Sequence, residues 1–357
     1  MALDLGGDLL SLFQRIVDVE SVSGNETRLA DMVASALADL PHLEVERDGD
    51  CVVARTHLSR GMRVVIAGHL DTVPLADNLP SRLEERDDGL HLVGRGTVDM
   101  KGGVAVALAL AAELTQPIHD ITWIFYDHEE VEAARNGLGR LARNRPDLMA
   151  GDFAILMEPT GGEVEGGCQG TARIRIDLEG RAAHSARSWK GINAVHKLEE
   201  ILRRLNAWEP RHVAVDGLVY REGLNAISVS GGVAGNVVPP SASIGINYRF
   251  APDKTPEDAL AELRRIFEGY HFEVTDMSPA ARPGLDLPVA AEFIAAVGAV
   301  PLPKYGWTDV ARFSAMGVPA INYGPGDALL AHTDLVHCPI SDLERCADGL
   351  RRWLKEN

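Results

Sequence analysis

Cysteine is scarce in this chain. Cys51, Cys168, Cys338 and Cys346 are scattered and form no CxxC pair, so neither a disulfide framework nor a thiolate zinc site is indicated. No apolar run approaches the ~20 residues that span a bilayer. The start, Met1-Ala2-Leu3-Asp4-Leu5-Gly6-Gly7, lacks the basic and apolar regions of a secretory signal. Both absences lead to the expectation of a cytoplasmic protein with no membrane partner. Positive charge is also short: 35 Lys and Arg against 52 Asp and Glu leave a net charge of -17. That balance argues against a nucleic-acid partner, which needs clustered basic residues to neutralise phosphates. It leaves room for a small anionic substrate, because a bound metal or a few arginines can reverse the field inside one cleft. Gly94-x-Gly96-x-x-Asp99 lacks the third glycine of a dinucleotide loop, so a nicotinamide site is not expected.

What is present is ordinary for a globular protein of two domains: 357 residues, 46% apolar and 24% charged. Residues 8–20 and 26–40 read as helices, and Ser23-Gly24-Asn25-Glu26 reads as a capping box for the second. Strands are expected at Val52–Ala54 and Arg63–Ala67, the latter running on to His69. Val104–Leu114 is apolar on every face, which marks a buried helix. Ile121–Tyr126 and Phe153–Met157 are apolar without alternation, as in a parallel sheet covered on both faces.

From about residue 170 the pattern changes. Thr171–Glu179 alternates, a helix follows over Asn193–Trp208, strands are expected near 224–232 and 241–250, a helix opens at Thr255-Pro256, and a last strand covers 270–276. That βαββαβ order is the ferredoxin-like split unit. The expected division is therefore 1–169 with 281–357 as one α/β domain with a mostly parallel sheet, and 170–280 as an inserted α+β domain. Beyond the insert, Val289–Val297 and Ser341–Lys355 read as helices and Pro319–Asn322 as a strand.

In open α/β sheets, ligands gather beyond the carboxyl ends of strands. His69, Glu130, Glu158 and His332 all fall there, and Asp99 sits in a glycine-flanked turn between two such strands. Alone, a His-x-Asp is usually a surface turn and a Glu-Glu pair a solvated helix start; together they point to one two-metal site. Imidazole and carboxylate without thiolate suit zinc, cobalt or manganese. Three carboxylates and one hydroxide would balance two divalent cations. Asp71 is placed to hydrogen-bond the free ring nitrogen of His69. Glu129, beside a ligand yet pointing differently, is the natural general base. His128 has no evident role.

Gly68-His69-Leu70-Asp71-Thr72-Val73, Gly94 to Gly103, Glu129-Glu130, Glu158-Pro159 and the late His332 resemble the M20 family of di-zinc amidohydrolases over essentially the whole chain. Tyr126 to Gly137 and Lys304 to Phe313 are similar to its actinobacterial succinyl-diaminopimelate desuccinylases. The resemblance implies a zinc-peptidase-like catalytic domain with an inserted lid that dimerises through residues 170–280. It implies two Zn2+ (Co2+ or Mn2+ as substitutes): Asp99 bridging, His69 and Glu158 on one ion, Glu130 and His332 on the other, with Glu129 as base. It implies hydrolysis of N-succinyl-LL-2,6-diaminopimelate, with an N-acetylornithine deacetylase, another family amidase or carboxypeptidase, and a non-catalytic metal-binding scaffold as alternatives. His184 matches a lid histidine that reaches the neighbouring subunit's site, and Asn236, Arg249, Thr308 and Arg312 match positions that hold substrate carboxylates. Val98 and His128 depart from the family's usual residues without removing a ligand.

Overall fold

The computed structural model describes residues 2–355, so Met1, Glu356 and Asn357 of the expected first domain lie outside it. The chain forms two compact units: Met1–Gly166 with Pro283–Leu302 and Arg312–Asn357, and Gly167–Arg282 with Pro303–Ala311. The short return segment Pro303–Ala311 packs with the second unit, although it follows the insert in sequence.

The first unit is a mixed α/β structure around an eight-stranded sheet. Its strands lie in the order Glu44–Asp48, Cys51–Arg55, Asp120–Tyr126, Arg63–His69, Phe153–Leu156, Ala320–Asn322, Val164–Gly166 and Pro301–Pro303. The four central strands, from Asp120–Tyr126 to Ala320–Asn322, are parallel. They are buried along their length, which is why their sequences run apolar without alternation. Register pairs His69 with Tyr126 and Ala67 with Leu156, so these carboxyl ends open on one edge. The helix Gly102–Glu113 is buried on nearly all sides between Leu9–Val17, Ile340–Leu354 and the strand Arg63–His69.

The second unit follows the order βαββαβ with an extra hairpin, His212–Val215 with Leu218–Arg221. Its sheet runs Gly223–Gly231, Ser241–Phe250, Gly170–Glu179, Glu273–Ser278, antiparallel throughout. Leu198–Asn206 and Pro256–Ile266 supply the apolar cover, and Thr255 and Asp258 cap the latter reciprocally.

One local expectation fails. The helix Thr27–Ala38 begins at Glu26, but no side chain caps it. Ser23 and Glu26 make other bonds: the Ser23 hydroxyl donates to Asp71, and the Glu26 carboxylate accepts from the amides of Gly24 and His128. Partners distant in sequence outcompete the local cap.

Gly103 sets how closely the buried helix approaches the sheet. A Cβ there would lie 2.2 Å from the Met157 carbonyl oxygen, one residue before Glu158. Exchange of this glycine for alanine forces backbone apart on both sides. Gly103→Ala is expected to cost about 1–3 kcal/mol in urea unfolding, whereas Gly61→Ala, which meets nothing within 4 Å, should stay within about 0.5 kcal/mol of wild type. Equal midpoints for the two variants would refute this account of the helix contact.

Candidate metal centre

The carboxyl edge of the parallel strands collects titratable side chains. His69 ends its strand, Asp71 lies two residues on, Glu129 and Glu130 follow Asp120–Tyr126, and Glu158 follows Phe153–Leu156. Asp99 sits in the irregular turn Thr97–Lys101, with non-helical backbone at Asp99 and Met100. His332 comes from the loop before the strand His337–Pro339 and takes a positive φ of 62°.

Donor atoms of His69, Asp99 and Glu158 lie within 4.8 Å of one another, and so do those of Asp99, Glu130 and His332. Asp99 belongs to both groups. His69 Nε2 is 3.1 Å from one Asp99 oxygen, and His332 Nε2 is 3.2 Å from the other and 3.0 Å from Glu130. Around a tetrahedral cation with ligands at 2.0–2.2 Å, neighbouring donors stand about 3.3 Å apart. The spacing and the all-imidazole, all-carboxylate donor set fit a pair of divalent cations that share Asp99. Glu129 is also close, since its donor atoms group with those of His69 and Glu130.

The charge balance agrees. Burial works against a charged His69 ring, yet hydrogen bonds to Asp71 and Asp99 raise it well above the ordinary imidazole value. His332, bonded to Asp99 and Glu130, is pushed up to about 10. Asp99 is held low against burial by the same two imidazoles, while burial raises Glu130. The edge is a strongly negative pocket that draws protons onto its histidines, and a divalent cation answers the same field.

Asp71 is wired differently from expectation. His69 Nδ1 donates to the Asp71 main-chain carbonyl at 3.0 Å, with the carboxylate farther off at 3.4 Å. That bond places a proton on Nδ1 and turns Nε2 toward Asp99. The Asp71 carboxylate instead accepts the amides of Glu129 and Glu130, each at 3.0 Å, and the Ser23 hydroxyl at 2.5 Å. Burial opposes its ionisation, but these bonds and His69 hold its carboxyl down at about 2. Ser23 and Glu26 went unnoticed in the sequence because they read as a helix cap. Lys101 was missed as well. It is buried and donates to the Val19 carbonyl at 2.7 Å, and burial pulls its amine down to about 7. A lysine opening an otherwise apolar helix was the available signal.

The remaining expected residues are carried by other elements. The amide of Ser185 donates to the Asn236 carbonyl, which sets His184 beside Asn236 on an exposed part of the second unit. His184 Nδ1 accepts from the Ala186 amide. Arg249 is half-buried in Ser241–Phe250, and its Nη1 has no hydrogen-bond partner among the described residues. Burial and the nearby Arg173 lower its affinity for its proton. Thr308 is buried in the second unit, where the Cys168 thiol meets its carbonyl. Arg312 belongs to the first unit and lies against Gly139.

The sequence pattern of peptidase family M20/M25/M40 matches residues 65–356, a span that includes every member of this cluster. The chain belongs to that family. Among curated M20 relatives, a Mycobacterium tuberculosis (strain H37Rv) protein provisionally named succinyl-diaminopimelate desuccinylase DapE is 51% identical over 355 residues, covering 99% of each chain. The succinyl-diaminopimelate desuccinylase of Corynebacterium glutamicum is 46% identical over 365 residues, covering 99% of this chain and 98% of its own. Among solved structures, a Staphylococcus aureus tripeptidase matches with a TM-score of 0.79 at 20% identity over 97% of both chains, a likeness of fold.

In this M20 member, Asp71 ties His69 to the acid pair, its main-chain carbonyl holding the ring and its carboxylate the two amides. Asp71→Asn is expected to weaken divalent-cation binding or turnover about 10–100-fold, read by chelator competition and initial rates. Wild-type values for both would detach Asp71 from the centre.

Proposed function

We propose that the protein is a metal-dependent succinyl-diaminopimelate desuccinylase, which hydrolyses N-succinyl-LL-2,6-diaminopimelate to succinate and the free diamine of diaminopimelate and lysine synthesis. The observation that carries this reading is identity of 46–51% over nearly the whole chain to proteins named for that activity. His69 and Glu158 would hold one ion, Glu130 and His332 the other, and Asp99 would lie between them. Imidazole and carboxylate donors without thiolate suit zinc, cobalt or manganese better than an iron–sulfur centre, and zinc is the ion we propose. Two such ions, when bound, supply Lewis acidity toward the scissile carbonyl and acidify water.

The protein's own groups do the rest. Glu129 takes the proton of the attacking water and passes it to the leaving amine. Asp71 holds the backbone of Glu129 in place while it does so. His184, from the neighbouring subunit, donates to the carbonyl oxygen as negative charge builds there. Arg249, Arg312, Asn236 and Thr308 take the substrate's carboxylates, and the unpartnered guanidinium nitrogen of Arg249 supports that role.

We further propose a homodimer through residues 170–280. The edge strand Gly223–Gly231 supports it, because Ile227 and Val229 on that strand and Val233 beyond it are more than half exposed. Four free, buried cysteines suit a reducing cytoplasm. No helix among the described residues is long and apolar enough to cross a membrane.

Rates of the zinc-loaded protein on N-succinyl-LL-2,6-diaminopimelate and on N-acetylornithine, measured side by side, test the substrate. The succinyl compound should be strongly preferred; preference for the acetyl compound would overturn the reading. The trans role of His184 is tested by mixing subunits. His184→Ala and Glu129→Gln dimers, each nearly inactive alone, should regain partial activity after exchange. Failure to recover, with heterodimers present, would place His184 in its own subunit's chemistry or in none.

A further inference from the structure

The amides of His128, Glu129 and Glu130 point at two buried carboxylates. His128 N donates to Glu26 Oε1 at 3.1 Å, and the next two amides donate to Asp71. This needs the left-handed conformation of His128, φ 59°, which turns successive N–H groups to one side. The His128 ring is held in turn, with Nδ1 2.7 Å from Asp127, a carboxylate that is itself clamped by Arg140.

The carboxylates are fixed by one short segment, Ser21 to Glu26. Glu26 is fully buried, and its second oxygen accepts the Gly24 amide at 2.8 Å. Ser23 donates its hydroxyl to Asp71 and its amide to the Thr72 carbonyl, and Thr72 returns an amide to Ser21. This segment contributes no group to the metal cluster. It also precedes residue 65, where the family match begins.

We infer that Glu26 and Ser23 are positioning residues that set the direction of Glu129, acting through the His128 amide and through Asp71. The sequence that resembles a helix cap is then a second-layer support for the base. Free of its capping duty, it braces a loop about a hundred residues away in the chain.

Replacing Glu26 by Gln keeps the shape but leaves an amide NH2 facing either the Gly24 or the His128 N–H. One buried donor then loses its acceptor, and the loop must shift. Small misplacements of a reacting group can cost ~100-fold in rate.

The inference rests on Glu129 acting as the base, so the test is a double-mutant cycle of Glu26→Gln with Glu129→Gln. The protein is metal-loaded, and kcat, KM and bound metal per subunit are measured. Glu26→Gln alone should lower kcat about 10–100-fold with KM changed less than about threefold and metal content unchanged. In the Glu129→Gln background the same change should cost less than about twofold, since the group it positions is gone. An equal loss in both backgrounds, a loss that tracks metal content, or no loss at all would overturn the inference. Ser23→Ala is read by the same criteria and decides the matter if Glu26→Gln does not fold. The two readings fail separately: if Glu129→Gln retains turnover, the role of Glu129 as base falls and the positioning role with it; if Glu129→Gln is inactive while Glu26→Gln keeps wild-type kcat, only the positioning role falls.

Discussion

Packing carboxylates at one buried sheet edge demands positive charge among them, and much of the first unit serves that demand. Among the described residues, Asp99, Glu130 and Glu158 gather with two imidazoles, His69 and His332, at the carboxyl ends of the parallel strands. In a site of low dielectric, like charges this close repel strongly unless a cation lies between them. The histidines respond by holding protons tightly, His332 up to about 10. Two divalent ions would satisfy the same balance, and both donor groups share Asp99.

The rest of the unit keeps these groups close without collapse. The buried helix Gly102–Glu113 fills the face of the sheet, and Gly103 lets its first turn rest on the Met157 backbone. The turn bearing Asp99 is thereby brought up to the strand that leads to Glu158. Lys101 buries its stem in that turn and gives its protons to the Val17 and Val19 carbonyls.

Asp71 is a carboxylate held by the protein's own groups. Its oxygens accept two amides and a hydroxyl and lie beside the His69 ring, so its charge is satisfied by the protein's own groups. Because the two amides belong to the backbone of Glu129 and Glu130, the same bonds that stabilise Asp71 aim the acid pair. His69 is set by its bond to the Asp71 main chain. One short stretch, His69 to Thr72, therefore orients a donor, the acid pair and the wall formed by Ser21 to Glu26.

The sequence by itself marked the main strands and the titratable residues that gather at their ends. Apolar runs without alternation marked the parallel strands, the alternation over Thr171–Glu179 marked the half-wet sheet, and the residues beyond the strand ends are those that converge. These features are local: they follow from burial on one face or two and from where a strand stops. Tertiary structure alone decided what Ser23, Glu26 and His128 do, and which atoms of Asp71 meet His69. Such choices are competitions between a near partner and a distant one. A serine three residues before a glutamate favours a helix cap until Asp71 and His128 are folded against it, and only then do the distant bonds win.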